Sequence, residues 1–178
     1  MDLQQNRAEQ PMPALNWRPM TEADLDGVVL VAQKSFPDHP EERACFANRL
    51  DLNPKGCFVL ADDQNAVKGY LVAYPWMRNM APALNVLIDA IPADADSYYL
   101  HDLAIDPDVR GGGYTRTVIE KLAEQVKADG WPRVSLVAVN NATGFWNRNG
   151  FEVQTPEGIA AKLASYGDDA RYMERALV

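Results

Sequence analysis

The segment LAIDPDVRGGGYTRTVIEKL, residues 103–122, joins an apolar run to an amphipathic one through three consecutive glycines. Arg110, Gly111, Gly112, Gly113, Tyr114 and Thr115 form a junction suited to an anion. A helix that begins near 113–115 exposes free backbone N–H groups and a partial positive charge in its first turn. Together these bind phosphate. The glycines let the backbone approach a ligand and take positive φ. Arg110 adds a fork of donors that matches phosphate oxygens. A nucleotide P-loop would need a lysine after its last glycine, and a dinucleotide fingerprint would need glycine where Arg116 stands. No acidic residue ends the next strand as a ribose ligand. A glycine-rich turn that holds no ligand stays open on these residues alone.

The junction needs a strand before it and a helix after it, and the pattern supplies both. Tyr98–Ile105 is an apolar run turned by Asp106-Pro107-Asp108. From Tyr114, apolar positions 114, 118, 119, 122, 123 and 126 form one helical stripe, and Asp129-Gly130 stops it. Upstream, Ala14–Arg18 reads as a strand and Thr21 as an N-cap. Leu25, Val28, Val29 and Ala32 form a helix face, which the prolines of SFPDHPEE break. Glu41–Leu52 reads as a second helix. Cys57–Ala61 and Lys68–Tyr74 read as a hairpin around DDQN. Residues 75–96, with three prolines, read as an irregular connection with one helical turn. Val134–Val139 is a strand, 142–149 a short helix, and Gly150-Phe151 and 170–177 open and close the last strand region. Residues 1–13 read as a flexible polar tail and 14–178 as one mixed α/β domain with a central strand-helix-strand unit.

The chain has 178 residues and a net charge of -8, with a pI near 4.7. That length supports one domain with a sizeable core. The acidic balance argues against nucleic acid and anionic membrane surfaces as partners, which call for a basic face. An anion must therefore be held by local groups. The two cysteines, Cys45 and Cys57, make no disulfide framework. The N-terminus carries no apolar signal core, and no stretch approaches the ~20 apolar residues of a membrane helix. A cytoplasmic protein is the expectation.

Three segments, in order, resemble the GNAT superfamily of N-acetyltransferases. The signature [QR]-x-x-G-x-[GA] corresponds to Arg110, Gly113 and Thr115. VSLVAVNNATGFWNRNGFEV (134–153) is similar to the later strand-helix piece, and WRPMTEADLDGVVLVA to the first strand and helix. The resemblance spans about residues 15–176. It implies an α/β (α+β) single domain of the GNAT fold, a mixed central sheet splayed at the acetyl-CoA site and flanked by helices. It implies that residues 110–115 bind the pyrophosphate by backbone N–H. It also implies that Leu103–Ile105, with Ala104 between, meet the pantetheine arm, and that the Leu103 N–H stabilises an oxyanion. Asn140 and Asn141 fit the family's asparagine loosely.

The implied activity is transfer of acetyl from acetyl-CoA to a primary amine of a small molecule or peptide by direct attack, without a metal. The amine must be neutral to attack, so a base is useful. Strand parity places Tyr99, His101, Leu103 and Ile105 on one face and Asp102 on the other. LHDLAI is similar to a run in the arylalkylamine N-acetyltransferase branch, where the strand histidine is a base or water relay. His101 matches it, with an ordinary pKa of about 6.5, and Tyr99 stands where that branch has a second histidine. The family's Phe-Tyr is Phe145-Trp146 here. An indole N–H donates but is no acid at useful pH, so Trp146 is expected to pack beneath the pantetheine arm, and Tyr98, Tyr99 or water to protonate the thiolate. The acceptor pocket is expected among SFPDHP, Tyr74-Pro75-Trp76, Tyr99, Tyr166 and Tyr172. Two other readings stay open: a non-catalytic acyl-CoA-binding or sensing domain, and a nucleotide-dependent enzyme of another fold. Many family members pair through strand edges or helix faces, which admits a homodimer.

Overall fold

The computed structural model describes residues 14–38 and 40–178. The expected tail, 1–13, lies outside them. Seven strands form one sheet in the order β1-β2-β3-β4-β5-β7-β6. They are β1 (Asn16–Pro19), β2 (Cys57–Ala61), β3 (Val67–Trp76), β4 (Ser97–Ile105), β5 (Arg133–Ala138), β6 (Glu152–Val153) and β7 (Arg171–Ala176). Every neighbouring pair is antiparallel except β4 and β5, which are parallel. Five helices accompany the sheet: α1 (Leu25–Ser35), α2 (Arg43–Leu52), α3 (Tyr114–Ala128), α4 (Thr143–Arg148) and α5 (Ile159–Leu163).

The sheet has a core on each face. Leu25, Val28 and Ala32 of α1 and Phe46 of α2 pack on Val59, Tyr70, Val72, Tyr74 and Tyr99. Val118, Ile119, Leu122 and Val126 of α3 pack on Phe58, Leu71, Ala73, Leu100 and Leu136. These are the apolar stripes of the two helices, and burying them is what holds helices of this length in place. Thr21 opens the first helical segment: its N–H and hydroxyl both donate to the Asp24 carboxylate, at 2.8 and 3.0 Å.

Two expectations need correction. Residues 77–96 contain no helical turn; β3 runs on to Trp76 and the connection beyond it is irregular. It is anchored by polar contacts instead: Arg78 grips the buried Glu174 through Nε and Nη2, each at 2.8 Å, and Tyr166 donates to the Pro82 carbonyl. The short α5 was not anticipated. Cys45 and Cys57 are both buried and unbridged. No helix among the described residues is long and apolar enough to cross a membrane.

The parallel pair β4–β5 matters most for function. Its register holds only at Tyr98↔Val134 and Tyr99↔Ser135. Beyond Tyr99 the strands part, and the rest of β4 has a partner on the β3 side alone.

Candidate active site

The glycine junction forms the N-terminus of α3. After β4, Asp106 accepts from the Asp108 N–H and from Lys34 Nζ, at 3.0 and 2.9 Å, which fixes the turn Pro107–Val109 to α1. Trp17 Nε1 donates to the Tyr114 carbonyl at 2.8 Å, tying the helix start to β1. Gly111 and Gly113 have φ of 90° and 76°, a left-handed backbone that disfavours any other residue. A Cβ at either would meet nothing within 4 Å, so these glycines border open space. No side chain caps the fifteen-residue α3. Its free N–H groups and positive end therefore face a cleft of about 620 Å³. Leu103, Ala104, Ile105 and every residue from Arg110 to Thr115 line this cleft.

The open edge of β4 forms one wall. The Asp106 N–H donates to Lys68 of the β3 side at 2.8 Å. By antiparallel alternation the N–H groups of Leu103 and Ile105 then point away from β3, where β5 has departed. Across the cleft, the aromatic pair of α4 divides. Phe145 lines the cleft. Trp146 does not; its ring stands 5.4 Å from Phe151 and 5.0 Å from Phe145, packed on the α3 core. Asn140 and Asn141 both take positive φ where β5 ends. Asn140 lines the cleft, whereas the Asn141 N–H donates to Asp169 at 2.8 Å in a turn outside it.

A second cavity, about 610 Å³, adjoins the first, with Ser35, Phe36 and Asn140 lining both. Its wall includes Asp38, Glu41, Tyr99, His101, Asp102 and Tyr166. Of the expected acceptor segment, Ser35, Phe36, Pro37, Asp38 and Pro40 are in place, but Tyr74, Trp76 and Tyr172 are not among the lining residues.

Here simple strand parity fails. Val72 pairs Asp102 and Ala73 pairs Leu100, which leaves His101 as an extra, bulged residue. The bulge resets the alternation. Tyr99, paired with Tyr74, and Asp102, paired with Val72, share the α1–α2 face, and the His101 ring lies 5.7 Å from Tyr74 on that face. Leu103 turns to the α3 core, opposite to the expectation that grouped it with His101.

The carboxylates here are held by specific partners. His101 Nε2 is hydrogen-bonded to Glu41, and its ring is 2% exposed. A carboxylate on Nε2 fixes the tautomer that leaves Nδ1 as acceptor, and Nδ1 is buried with no partner among the described residues. Burial works to raise the Glu41 pKa, but the His101 bond and charge and the Arg49 charge outweigh it and lower the net value. Asp102 accepts from the Tyr70 hydroxyl at 2.7 Å. Its pKa is pushed up to about 6, chiefly by burial and also by Glu41, while His101 and Tyr70 pull the other way. Burial, with Tyr166 and Tyr74 beside it, drives the Tyr99 phenol well above its ordinary range, so it stays neutral and donates. Glu41, Asp102 and Tyr70 were not anticipated. Glu41 lies 60 positions before His101, and nothing local in the sequence marks the pairing. No cluster of three metal-ligating side chains occurs among the described residues.

A cleft at a helix N-terminus, a strand edge freed by splaying and an adjoining acidic cavity now stand together. Residues 17–151 match the pattern described as the Acetyltransferase (GNAT) family. The chain belongs to that family. No functionally curated protein matches the sequence. Among solved structures, Ard1 from Thermoplasma volcanium is similar at 16% identity and a TM-score of 0.70, covering 93% of this chain and 99% of its own. The GNAT-like decarboxylase GphF, in complex with isobutyryl-CoA, is similar at 18% identity and 0.76, covering 92% and 100%. The GNAT family N-acetyltransferase YhbS from Escherichia coli, in complex with CoA, is similar at 19% identity and 0.61, covering 95% and 84%. At these identities the likeness is one of fold.

Trp146, expected beneath the pantetheine arm, is half-buried against the α3 core and does not line the cleft. The polar residues that line both cavities, Ser35 and Asn140, come from the end of α1 and the turn after β5.

Proposed function

We propose that the protein is an acetyl-CoA-dependent N-acetyltransferase that moves acetyl to a primary amine by direct attack. One observation carries the reading: consecutive residues of one strand, Asp102 and Leu103, line the acceptor cavity and the α3 cleft respectively. An amine in the first and a thioester in the second would meet at that boundary.

The cleft fits acetyl-CoA by its own features. The uncapped α3 N-terminus and the open backbone at Gly111 and Gly113 suit a pyrophosphate, with Arg110 and the Thr115 hydroxyl beside them. The free N–H groups of Leu103 and Ile105 suit the amides of a pantetheine arm, and Ala104 and Phe145 add apolar wall. When bound, acetyl-CoA supplies an acetyl group activated as a thioester. The net charge of -8 is no obstacle, because the positive potential is local to the loop.

His101 acts as proton acceptor. Its Nε2 is committed to Glu41, so the buried, unpartnered Nδ1 is the atom left to accept a proton. Glu41 holds the ring in place. The Leu103 N–H, at the boundary, is placed to stabilise charge developing on the acetyl oxygen. Tyr99, neutral and buried, serves as a hydrogen-bond donor and is a reluctant acid. The departing thiolate is protonated by water. The second reading, a non-catalytic acyl-CoA-binding domain, draws on one observation: the core position of Trp146 leaves α4 without an acid at the cleft.

Release of free thiol from acetyl-CoA across a panel of amines tests the reading. Amine-dependent thiol release lost in His101→Ala supports it. Stabilisation of the fold by acetyl-CoA with no thiol release on any amine supports the binding domain instead. Stabilisation by ATP or NAD but not by CoA would refute both.

A further inference from the structure

Behind the wall of the acceptor cavity lies a charge that the mechanism above does not use. Arg49 of α2 is 1% exposed. Its Nη1 donates to the Val86 carbonyl and, at 3.0 Å, to the Asn48 side chain. Its Nε and Nη2 have no partner among the described residues. Nor does any carboxylate among those residues lie within 4 Å of the guanidinium. A guanidinium keeps its proton inside a protein, and a buried charge without a countercharge is strongly destabilising. The fold must therefore hold a negative charge nearby.

Glu41 is the acid in that position. Its side chain is 11% exposed and its bonded partner is His101 Nε2. Two rings link it to Arg49. The guanidinium carbon is 5.7 Å from the centre of the Tyr74 ring, and that ring is 5.7 Å from the His101 imidazole. A Glu41 carboxylate beside a neutral imidazole carries one negative charge, and Arg49 brings the group to zero. Burial raises the Glu41 pKa, but the His101 bond and charge, and then the Arg49 charge, bring it below its ordinary value. The other groups around the pair supply no positive charge. Tyr70 and Tyr74 of β3, Tyr99 of β4, Tyr166 of the turn after α5 and Cys45 of α2 are kept neutral, chiefly by burial. Asp102 and Asp38 on the cavity wall and the exposed Glu42 are acids, which favour proton uptake by the pair.

We infer that Arg49 is a positioning residue for the proton acceptor: its buried charge, acting across the Tyr74 and His101 rings, keeps Glu41 a carboxylate, and Glu41 in turn holds the imidazole with Nδ1 free. That His101 is the base rests on the acetyltransferase reading; the charge balance rests on the cluster alone. Without Arg49 the Glu41–His101 pair is left with an uncompensated negative charge, so it takes up a further proton at higher pH. A buried charge acting from beyond contact distance moves such a titration by about one pH unit.

The test compares two neutral variants of the full-length protein, Arg49→Met and Arg49→Gln, with Arg49→Lys, which keeps the charge. Glutamine also keeps an N–H donor for the Val86 carbonyl. In thiol-release kinetics the acidic limb of the kcat/KM profile should move up by about one pH unit in both neutral variants, a loss of about tenfold below the limb that fades toward the plateau. It should stay in place in Arg49→Lys. A lowered plateau with an unmoved limb is what a purely structural arginine gives and would overturn the inference, as would an equal shift in the lysine variant. Nitrogen NMR of the imidazole reads the same effect without turnover. The chain has two histidines, and His101→Gln assigns their signals. The neutral His101 ring should carry its proton on Nε2, and the pH at which its signals move should rise by about one unit in the neutral variants only. Should neither neutral variant fold, carbon NMR of wild-type Glu41 decides: a carboxyl that titrates below its ordinary 4.5 supports the inference, and one that titrates above it overturns the inference. The two ideas fail separately. No thiol release on any amine sinks the acetyltransferase reading and leaves the ring signals to judge Arg49, whereas thiol release with an unmoved limb and unmoved ring signals sinks this inference only.

Discussion

Asp102 should cost the folded protein stability, and its replacement should give that stability back. Its carboxyl ordinarily loses a proton near 3.8 and in the fold keeps it to about 6. A difference of roughly two on the pH scale corresponds to about 3 kcal/mol of free energy charged against the ionised fold. The direction follows from linkage. Below about pH 3.8 folded and unfolded chains are both protonated there, and Asp102 is neutral in effect. Between 3.8 and about 6 the unfolded chain ionises first, so stability falls as pH rises. Above about 6 the full cost is present and stays constant. Asp102→Asn removes the charge and keeps an oxygen for the Tyr70 hydroxyl. The amide brings two donors without evident partners, which costs about 1 kcal/mol, and solvent in the cavity screens part of the charge. The net gain should be about 1–2 kcal/mol at pH 7.5, vanish between about pH 4 and 5, and give way to a loss of about 1 kcal/mol below that, where only the amide's cost remains.

Urea denaturation of both proteins across that pH range measures it. Subtracting one curve from the other removes the pH dependence that the two proteins share. An Asp102→Asn protein that is no more stable than wild type at pH 7.5, or a difference that ignores pH, would refute the reasoning.

Three further outcomes follow from the geometry. His101→Gln should lower kcat by about 10²-fold or more and remove the acidic limb of its pH profile, with acetyl-CoA affinity unchanged; steady-state kinetics across pH decides. Thr115→Ala should weaken acetyl-CoA by a few-fold, the equivalent of about 1 kcal/mol for one hydroxyl contact; undiminished affinity in a titration would count against a role for the hydroxyl. Arg78→Ala should lower the unfolding free energy by about 2 kcal/mol, because Glu174, 7% exposed at its side chain, loses a two-point partner, and thermal melting would report it.

Much of the frame was legible because burial repeats with a period. Val118, Ile119, Leu122, Ala123 and Val126 are all buried, as their spacing required. The glycine junction was legible because positive φ has few residue solutions. The short elements were not. The five-residue α5 offers no full stripe, and its start, Gly158 at φ 79°, reads as a loop glycine. In the six-residue α4, Phe145 and Trp146 are both large and apolar, so pattern alone cannot say which faces the cleft. The Glu41–His101 pair joins the loop before α2 to β4, and contacts across such a separation leave no local trace.

The β4 bulge is the sharper case, because the sequence holds a clue that strict alternation hides. Both faces of β4 are covered, by α1 and α2 on one side and α3 on the other. With an unbroken alternation, Asp102 and Leu100 would share the apolar face of Leu71, Ala73 and Val118. A carboxylate there would be uncompensated, at a cost of several kcal/mol. An extra residue at His101 rotates Asp102 to the side where Tyr70 meets it, and it keeps Leu100 and Leu103 together in the α3 core. The acid in the middle of a two-sided strand is thus the feature that demands the irregularity. The same rotation lets adjacent residues open onto different cavities, Leu103 onto the α3 cleft and Asp102 onto the cavity beside it.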